Sequence, residues 1–109
     1  MKIAIVGSRN IMIGNIGEYI SASDEIVSGG AKGVDQCAAE YAKAHEMKLT
    51  EIRPDYERYG RAAPIVRNRK IVDYADKVIA FWDGKSKGTL SVINYAKKIN
   101  KSCLVVLCE

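Results

Sequence analysis

The chain has 109 residues, 48% of them hydrophobic and 28% charged, with a formal net charge of +4. That is the length of one domain able to bury a single core, and it excludes both a disordered chain and two independent domains. No apolar run approaches the roughly 20 residues that span a bilayer, and the N-terminal run is too short for a signal peptide, so a soluble cytoplasmic protein is expected.

Taken in chain order, strand-like and helix-like stretches alternate. Lys2 to Val6 is a short apolar run ending at Gly7 and reads as a buried central strand. A helix is expected over Gly14 to Ser21, with Ile16, Tyr19 and Ile20 inward, and then a brief strand over Glu25 to Val27. Val34, Cys37, Ala38, Tyr41 and Ala42 recur at helical spacing, the clearest amphipathic pattern in the chain. Met47 to Ile52 alternates as an edge strand does, and Arg53-Pro54-Asp55 stops it. Asp55 to Gly60 reads as a polar, aromatic loop in which Tyr56 and Tyr59 form a lid, stack a base or are plain surface. A helix with Pro64 in its first turn runs to Ala75. Asn68 shares a face with Ile65 and Val72 and is expected to point inward, toward either a ligand or the backbone of a loop. Lys77 to Trp82 is a fourth strand, Leu90 to Lys98 a fourth helix, and Ser102 to Leu107 a last strand.

This alternation predicts a Rossmann-like α/β sandwich: a mostly parallel five-stranded sheet with helices on both faces. Ligands of such sheets bind beyond the carboxyl ends of the strands, where strand order reverses. The loops there are Gly7-Ser8-Arg9-Asn10, Ser28-Gly29-Gly30-Ala31-Lys32-Gly33 and Asp83-Gly84-Lys85-Ser86-Lys87-Gly88-Thr89. Glycines admit close approach of an anion, and N–H groups at a helix start attract negative charge. Arg9, Lys32, Lys85 and Lys87 add cations, while Ser8, Ser86 and Thr89 add hydroxyls. None of the loops matches the Walker A or dinucleotide pattern.

Asp35, in the first turn of the second helix, either offsets the helix dipole or reaches a ribose hydroxyl or reacting group. Asp83 either caps the next turn or meets ligand. Trp82 either stacks a base or packs at the rim. His45, the single histidine, is expected on the solvent side near the end of the second helix. Cys37, Cys103 and Cys108 match no metal spacing and read as small hydrophobes in a reducing compartment. Neither metal nor cofactor is expected.

Gly7-Ser8-Arg9, Ser28-Gly29-Gly30-Ala31-Lys32-Gly33-Val34-Asp35, Arg67-Asn68-Arg69-Lys70 and Trp82-Asp83-Gly84-Lys85-Ser86-Lys87-Gly88-Thr89 together resemble the YspA-like branch of the SLOG superfamily. The resemblance implies a nucleotide or nucleotide-derived ligand, bound by a sensor or a nucleotide-processing module. It implies a cradle of Gly7, Ser8, Arg9, Gly29, Gly30, Ala31, Lys32, Gly33, Asp35, Ser86, Gly88 and Thr89, with Asn68 and Arg69 approaching from the third helix. Two alternatives come with it. The related LOG phosphoribohydrolases carry an Arg-Lys pair, resembled by Arg69-Lys70, and a P-G-G-x-G-T-x-x-E loop. Here the position of that loop's glutamate, to which the family assigns a catalytic role, holds Val92. Whether the chain is an enzyme is therefore open, with Arg69, Asp35 and Asp83 as the candidate catalytic residues. The related DNA-processing protein DprA has a similar S-G-G-A-x-G-[IV]-D stretch and binds single-stranded DNA. Nucleic acid is thus a partner to test beside a small nucleotide, a membrane is not, and a homo-oligomer is in keeping with the superfamily.

Overall fold

Ile3, Ala4, Ile5 and Val6 lose nearly all their solvent contact in the strand they form, on both of its faces. Only a central strand with helices above and below can bury such a run, each large aliphatic side chain contributing about 1.5–3 kcal/mol. The computed structural model describes residues 1–108. Its strands are β1 (Lys2–Gly7), β2 (Glu25–Ser28), β3 (Leu49–Glu51), β4 (Lys77–Trp82) and β5 (Ser102–Leu107). They form one sheet in the order β3-β2-β1-β4-β5, every neighbouring pair parallel. The helices are α1 (Val34–Ala44), α2 (Tyr56–Tyr59), α3 (Ala63–Tyr74) and α4 (Lys87–Lys98). The expected Rossmann-like architecture is therefore present. No helix among the described residues is long and apolar enough to cross a membrane.

Alternate residues of β1 serve two cores. Ala4 and Val6 join Val27, Val78 and Ala80 beneath α3 and α4, through Ile71, Val72, Val92 and Ile93. Ile3 and Ile5 join Ile26, Ile79 and Phe81 beneath α1, through Val34, Cys37, Ala38 and Ala42. At the base of the sheet the buried Glu25 carboxylate accepts hydrogen bonds from Tyr74 Oη (2.6 Å) and Thr50 Oγ1 (2.7 Å) and lies 3.3 Å from Lys48 Nζ. These partners, Tyr74 first, hold its carboxyl below the usual value.

Four expectations change. The helix over 14–21 shrinks to a 3₁₀ turn at Ile16–Glu18, since Gly14 and Gly17 weaken a helix here. Ile16 is nonetheless buried, and Tyr19 meets Phe81 edge-on at 5.3 Å. The strand over 47–52 narrows to Leu49–Glu51. Residues 56–59 are a helical turn rather than a loop, because Asp55 accepts the Arg58 N–H at 3.1 Å as an N-cap, and a 3₁₀ turn, Gly60–Ala62, leads into α3. The fourth helix starts at Lys87, three residues earlier than expected, because Ser86 caps it. Gly88 and Thr89 thus belong to its first turn.

Candidate functional site

Leaving β1, the chain builds outward through β2 and β3, then returns to the other flank of β1 as β4. The loops after β1 and β4 diverge at this switch point, and a cavity of about 500 Å³ opens between them. The structure brings together there Gly7 at the end of β1, Ser8 and Arg9 just after it, Ala31 from the β2–α1 connection, Asp35 from the first turn of α1, and Asn68 from α3. Asp83, Ser86, Gly88 and Thr89 complete the opposite wall. Val6, Ile71 and Val92 form an apolar floor. Gly29, Gly30, Lys32, Gly33 and Arg69 do not line this cavity. Gly30 and Lys32 instead border a shallower hollow of about 330 Å³ beside Glu51 and Arg53, and Arg69 lies in a separate groove between α3 and α4.

The glycine loop after β2 is largely closed upon itself. Ser28 Oγ donates to the Asp35 carbonyl at 3.2 Å and accepts from Gly30 N–H at 3.4 Å. Asp35 Oδ2 accepts from Ala31 N–H at 3.2 Å. N–H groups that the sequence offers to a phosphate are therefore engaged by the protein's own oxygens. Packing also explains two of the glycines. Gly33 has φ +76°, and a Cβ there would collide with the backbone carbonyls of Ser8 and Arg9. A Cβ on Gly29 would lie 2.8 Å from Arg67 Nη1 and 2.9 Å from Asp35 Oδ2.

The free donors lie across the cavity, at the start of α4. Asp83 Oδ1 accepts from Lys85 N–H (2.9 Å) and Ser86 N–H (2.8 Å), which shapes the turn. These two N–H groups, Ser86 first, hold the Asp83 carboxyl below the usual range. Ser86 Oγ caps Thr89 N–H at 3.5 Å and lies 3.3 Å from Thr89 Oγ1. The N–H groups of Lys87 and Gly88, first in a twelve-residue helix, have no acceptor within the helix. Gly88 lines the cavity and Lys87 does not; lining it too is Ser8, only 1% exposed. Its hydroxyl is close enough to Asp83 to help depress that carboxyl, yet it makes no hydrogen bond of normal geometry within the protein. It is the sole such buried side-chain oxygen or nitrogen among the described residues.

Asp35 is 7% exposed, and burial raises its carboxyl pKa above the ordinary value, opposed by the Ala31 N–H and the Arg67 charge. Arg67 belongs to the site although the sequence pattern does not mark it as a ligand contact. It lines the cavity, donates through Nη1 to the Gly29 carbonyl at 2.7 Å and through Nε to Asn68 Oδ1 at 2.8 Å. Asn68 thus finds its partner one residue away, while Ile65, expected beside it on the inner face, is 49% exposed. The inner face of α3 follows Ala63, Ile71 and Val72 instead. Asn10 and Pro64 also line the cavity without having been singled out as site residues.

Trp82 is not a cavity residue: its Nε1 donates to the Ser86 carbonyl at 2.9 Å, bracing the turn. Tyr56 and Tyr59 lie on α2, outside the cavity. His45 ends α1 in the open, its ring stacked on Tyr41 at 3.9 Å.

Residues 16–59 match the YspA, cpYpsA-related SLOG family. That stretch holds the Ser28–Asp35 loop and α1, so the resemblance to the YspA-like branch is upheld over one of the four motifs that carry it. No curated protein matches significantly. Among solved structures, the chain resembles DNA processing protein A from Helicobacter pylori, described for its single-stranded DNA binding mode. The TM-score is 0.73 at 23% identity, over 100% of this chain and 66% of that one. The likeness is one of fold, and this chain spans just under two thirds of the relative's length.

Proposed function

We propose that the switch-point cavity binds a nucleotide, its phosphate held at the start of α4. The observation that carries this reading is the start of α4 in the cavity wall, where Gly88, whose N–H has no acceptor within the helix, lines the cavity together with the buried Ser8 hydroxyl. A phosphate oxygen there would accept from that free N–H, and its negative charge suits a helix start. The helix dipole favours the same charge. A cavity of about 500 Å³ with an apolar floor suits one nucleoside monophosphate. Thermal-shift titration with nucleoside monophosphates, ADP-ribose and cyclic nucleotides tests the reading, since a ligand that binds only the folded state raises stability. At least one of them should stabilise the wild type, and Ser8→Ala should abolish most of that shift. No stabilisation by any of them at millimolar concentration would sink it.

A second reading has the nucleotide belong to a strand of DNA. It is favoured by the likeness to DNA processing protein A across the whole chain. Under it, an oligothymidylate displaces the mononucleotide and binds with an affinity that falls steeply with salt. Glycosidic hydrolysis gains no such support, because Val92, 2% exposed, puts an isopropyl group in the cavity floor where the LOG-type loop has a carboxylate.

A further inference from the structure

β5 is the outer strand on one side of the sheet and pairs with β4 alone. Along its other edge runs a row of backbone N–H and C=O groups that no strand among the described residues takes up. Proteins shield such edges with charged side chains, prolines, bulges or very short strands. The opposite edge of this sheet follows that rule: β3 has three residues, ends on Glu51, and Pro54 follows close behind. β5 has none of these devices. It is six residues long, and its register with β4 is unbroken from Ser102 to Leu107. It is also the one strand of the sheet without a charged residue.

Three of the nine exposed large hydrophobic side chains among the described residues lie on it: Leu104 (41%), Val105 (37%) and Leu107 (60%). They do not share a face, because successive side chains of a strand point to opposite sides of the sheet. Cys103 packs against the core beneath α3 and α4, so Val105 and Leu107 stand on that side. Val106 and Cys108 pack against the core beneath α1, so Leu104 stands on the other. A helix laid on either face would cover one set and leave the other wet. A strand added at the edge sends side chains to both faces, and it takes up the bare backbone groups as well.

We propose that β5 is where two copies of this chain join, antiparallel about a two-fold axis, so that one continuous sheet runs through both. Charge singles out a second copy as the occupant. In a two-fold pair the strand meets itself reversed, so a charge near the axis would face its own sign, which destabilises a ladder. β5 brings no charge to that meeting. The contact also closes on itself. β3 is too short and too charged to receive β5 of a further copy, so the product is a dimer rather than a filament. No residue of β5 lines the switch-point cavity, and the pairing stands independently of what that cavity binds.

Sedimentation equilibrium of the full chain, from about 1 μM to about 1 mM, tests the pairing. It should show monomer and dimer only, with association that tightens as salt rises, because two copies of charge +4 repel and no ion pair joins them. Leu104→Lys/Leu107→Lys removes apolar contact from both subunits and sets like charges together. It should weaken the dimer about a hundredfold or more. Both leucines are exposed in the monomer, so the dilute variant should keep the circular dichroism of the dilute wild type. Amide hydrogen exchange of the wild type gives a reading that needs no variant. The β5 N–H groups turned away from β4 should exchange slowly in concentrated solution and quickly in dilute solution. A wild type that stays monomeric throughout, a dimer whose β5 amides exchange as they do in the monomer, or open-ended growth into larger oligomers would each overturn the pairing. So would a folded double variant that dimerises as tightly as the wild type.

Discussion

Arg67 Nη1 donates to the carbonyl oxygen of Gly29 at 2.7 Å, joining α3 to the loop after β2 across 38 residues of chain. The same guanidinium binds Asn68 and sets its charge near Asp35. One side chain thus holds the far wall of the cavity to the glycine loop.

Arg67→Ala should therefore loosen that loop. Hydrogen bonds to charged groups contribute about 1.5–3 kcal/mol, and half-burial of Arg67 puts the expected loss at about 1–2 kcal/mol in urea unfolding. Exchange of the Ala31 amide should accelerate. Arg67→Lys should recover part of the stability, because the charge and one donor return without the planar fork. An alanine variant with wild-type stability and exchange would show that the loop holds itself.

Gly33→Ala meets two obstacles at once, a φ of +76° and the carbonyls of Ser8 and Arg9. Strained backbone of this kind costs about 1–3 kcal/mol before any collision. The midpoint of thermal unfolding should fall by several degrees. Gly14→Ala, at a position with open space around it, should leave the midpoint almost unmoved. Equal effects at the two positions would contradict the packing account.

Burial raises the Asp35 carboxyl above its ordinary value of 3.8. A carboxyl raised on folding contributes stability that is complete below 3.8 and is lost as pH climbs through the folded value. Asp35→Asn keeps an acceptor for Ala31 and cannot ionise. It should match the wild type near the bottom of that window and exceed it at neutral pH. A wild type that gains on the variant as pH rises would mean that the Arg67 charge outweighs desolvation.

Glu25 runs the other way, held below its ordinary value of 4.5 by Tyr74, Thr50 and Lys48. Its contribution is complete above 4.5 and lost as pH falls through the lowered folded value. Tyr74→Phe removes the first of these partners and should cost about 1–2 kcal/mol at neutral pH. The Glu25 carboxyl, followed by NMR, should then titrate at higher pH. An unmoved titration would show that Thr50 and Lys48 suffice.

The apolar runs at Ile3–Val6 and Val78–Phe81 made the central strands legible, because a run without alternation leaves only burial on both faces. The rim loops followed from topology. Less legible was where N–H groups are spent. Ser28 and Asp35 occupy those of their own loop through contacts that composition cannot show. Arg67 carries no local signal, because its partner Gly29 comes from a distant stretch of chain. The signal for the α4 start was present: Ser86 three residues before Thr89 is a cap, and it moves Gly88 from loop to helix. In sequence Gly33 looks like room for a ligand, whereas its neighbour is the protein's own backbone.

The strand order has a consequence for synthesis. β1 is the centre of the finished sheet, yet one flank of it pairs with β2 and the other with β4. A growing chain has made β1, β2 and β3 well before residues 77–82 emerge, so the second flank of β1 waits with its hydrogen-bonding groups bare. No local hairpin can shield it, because every pairing here is parallel and needs a crossover. The most vulnerable moment of this protein on the ribosome is therefore the interval before β4, when its central strand is half paired.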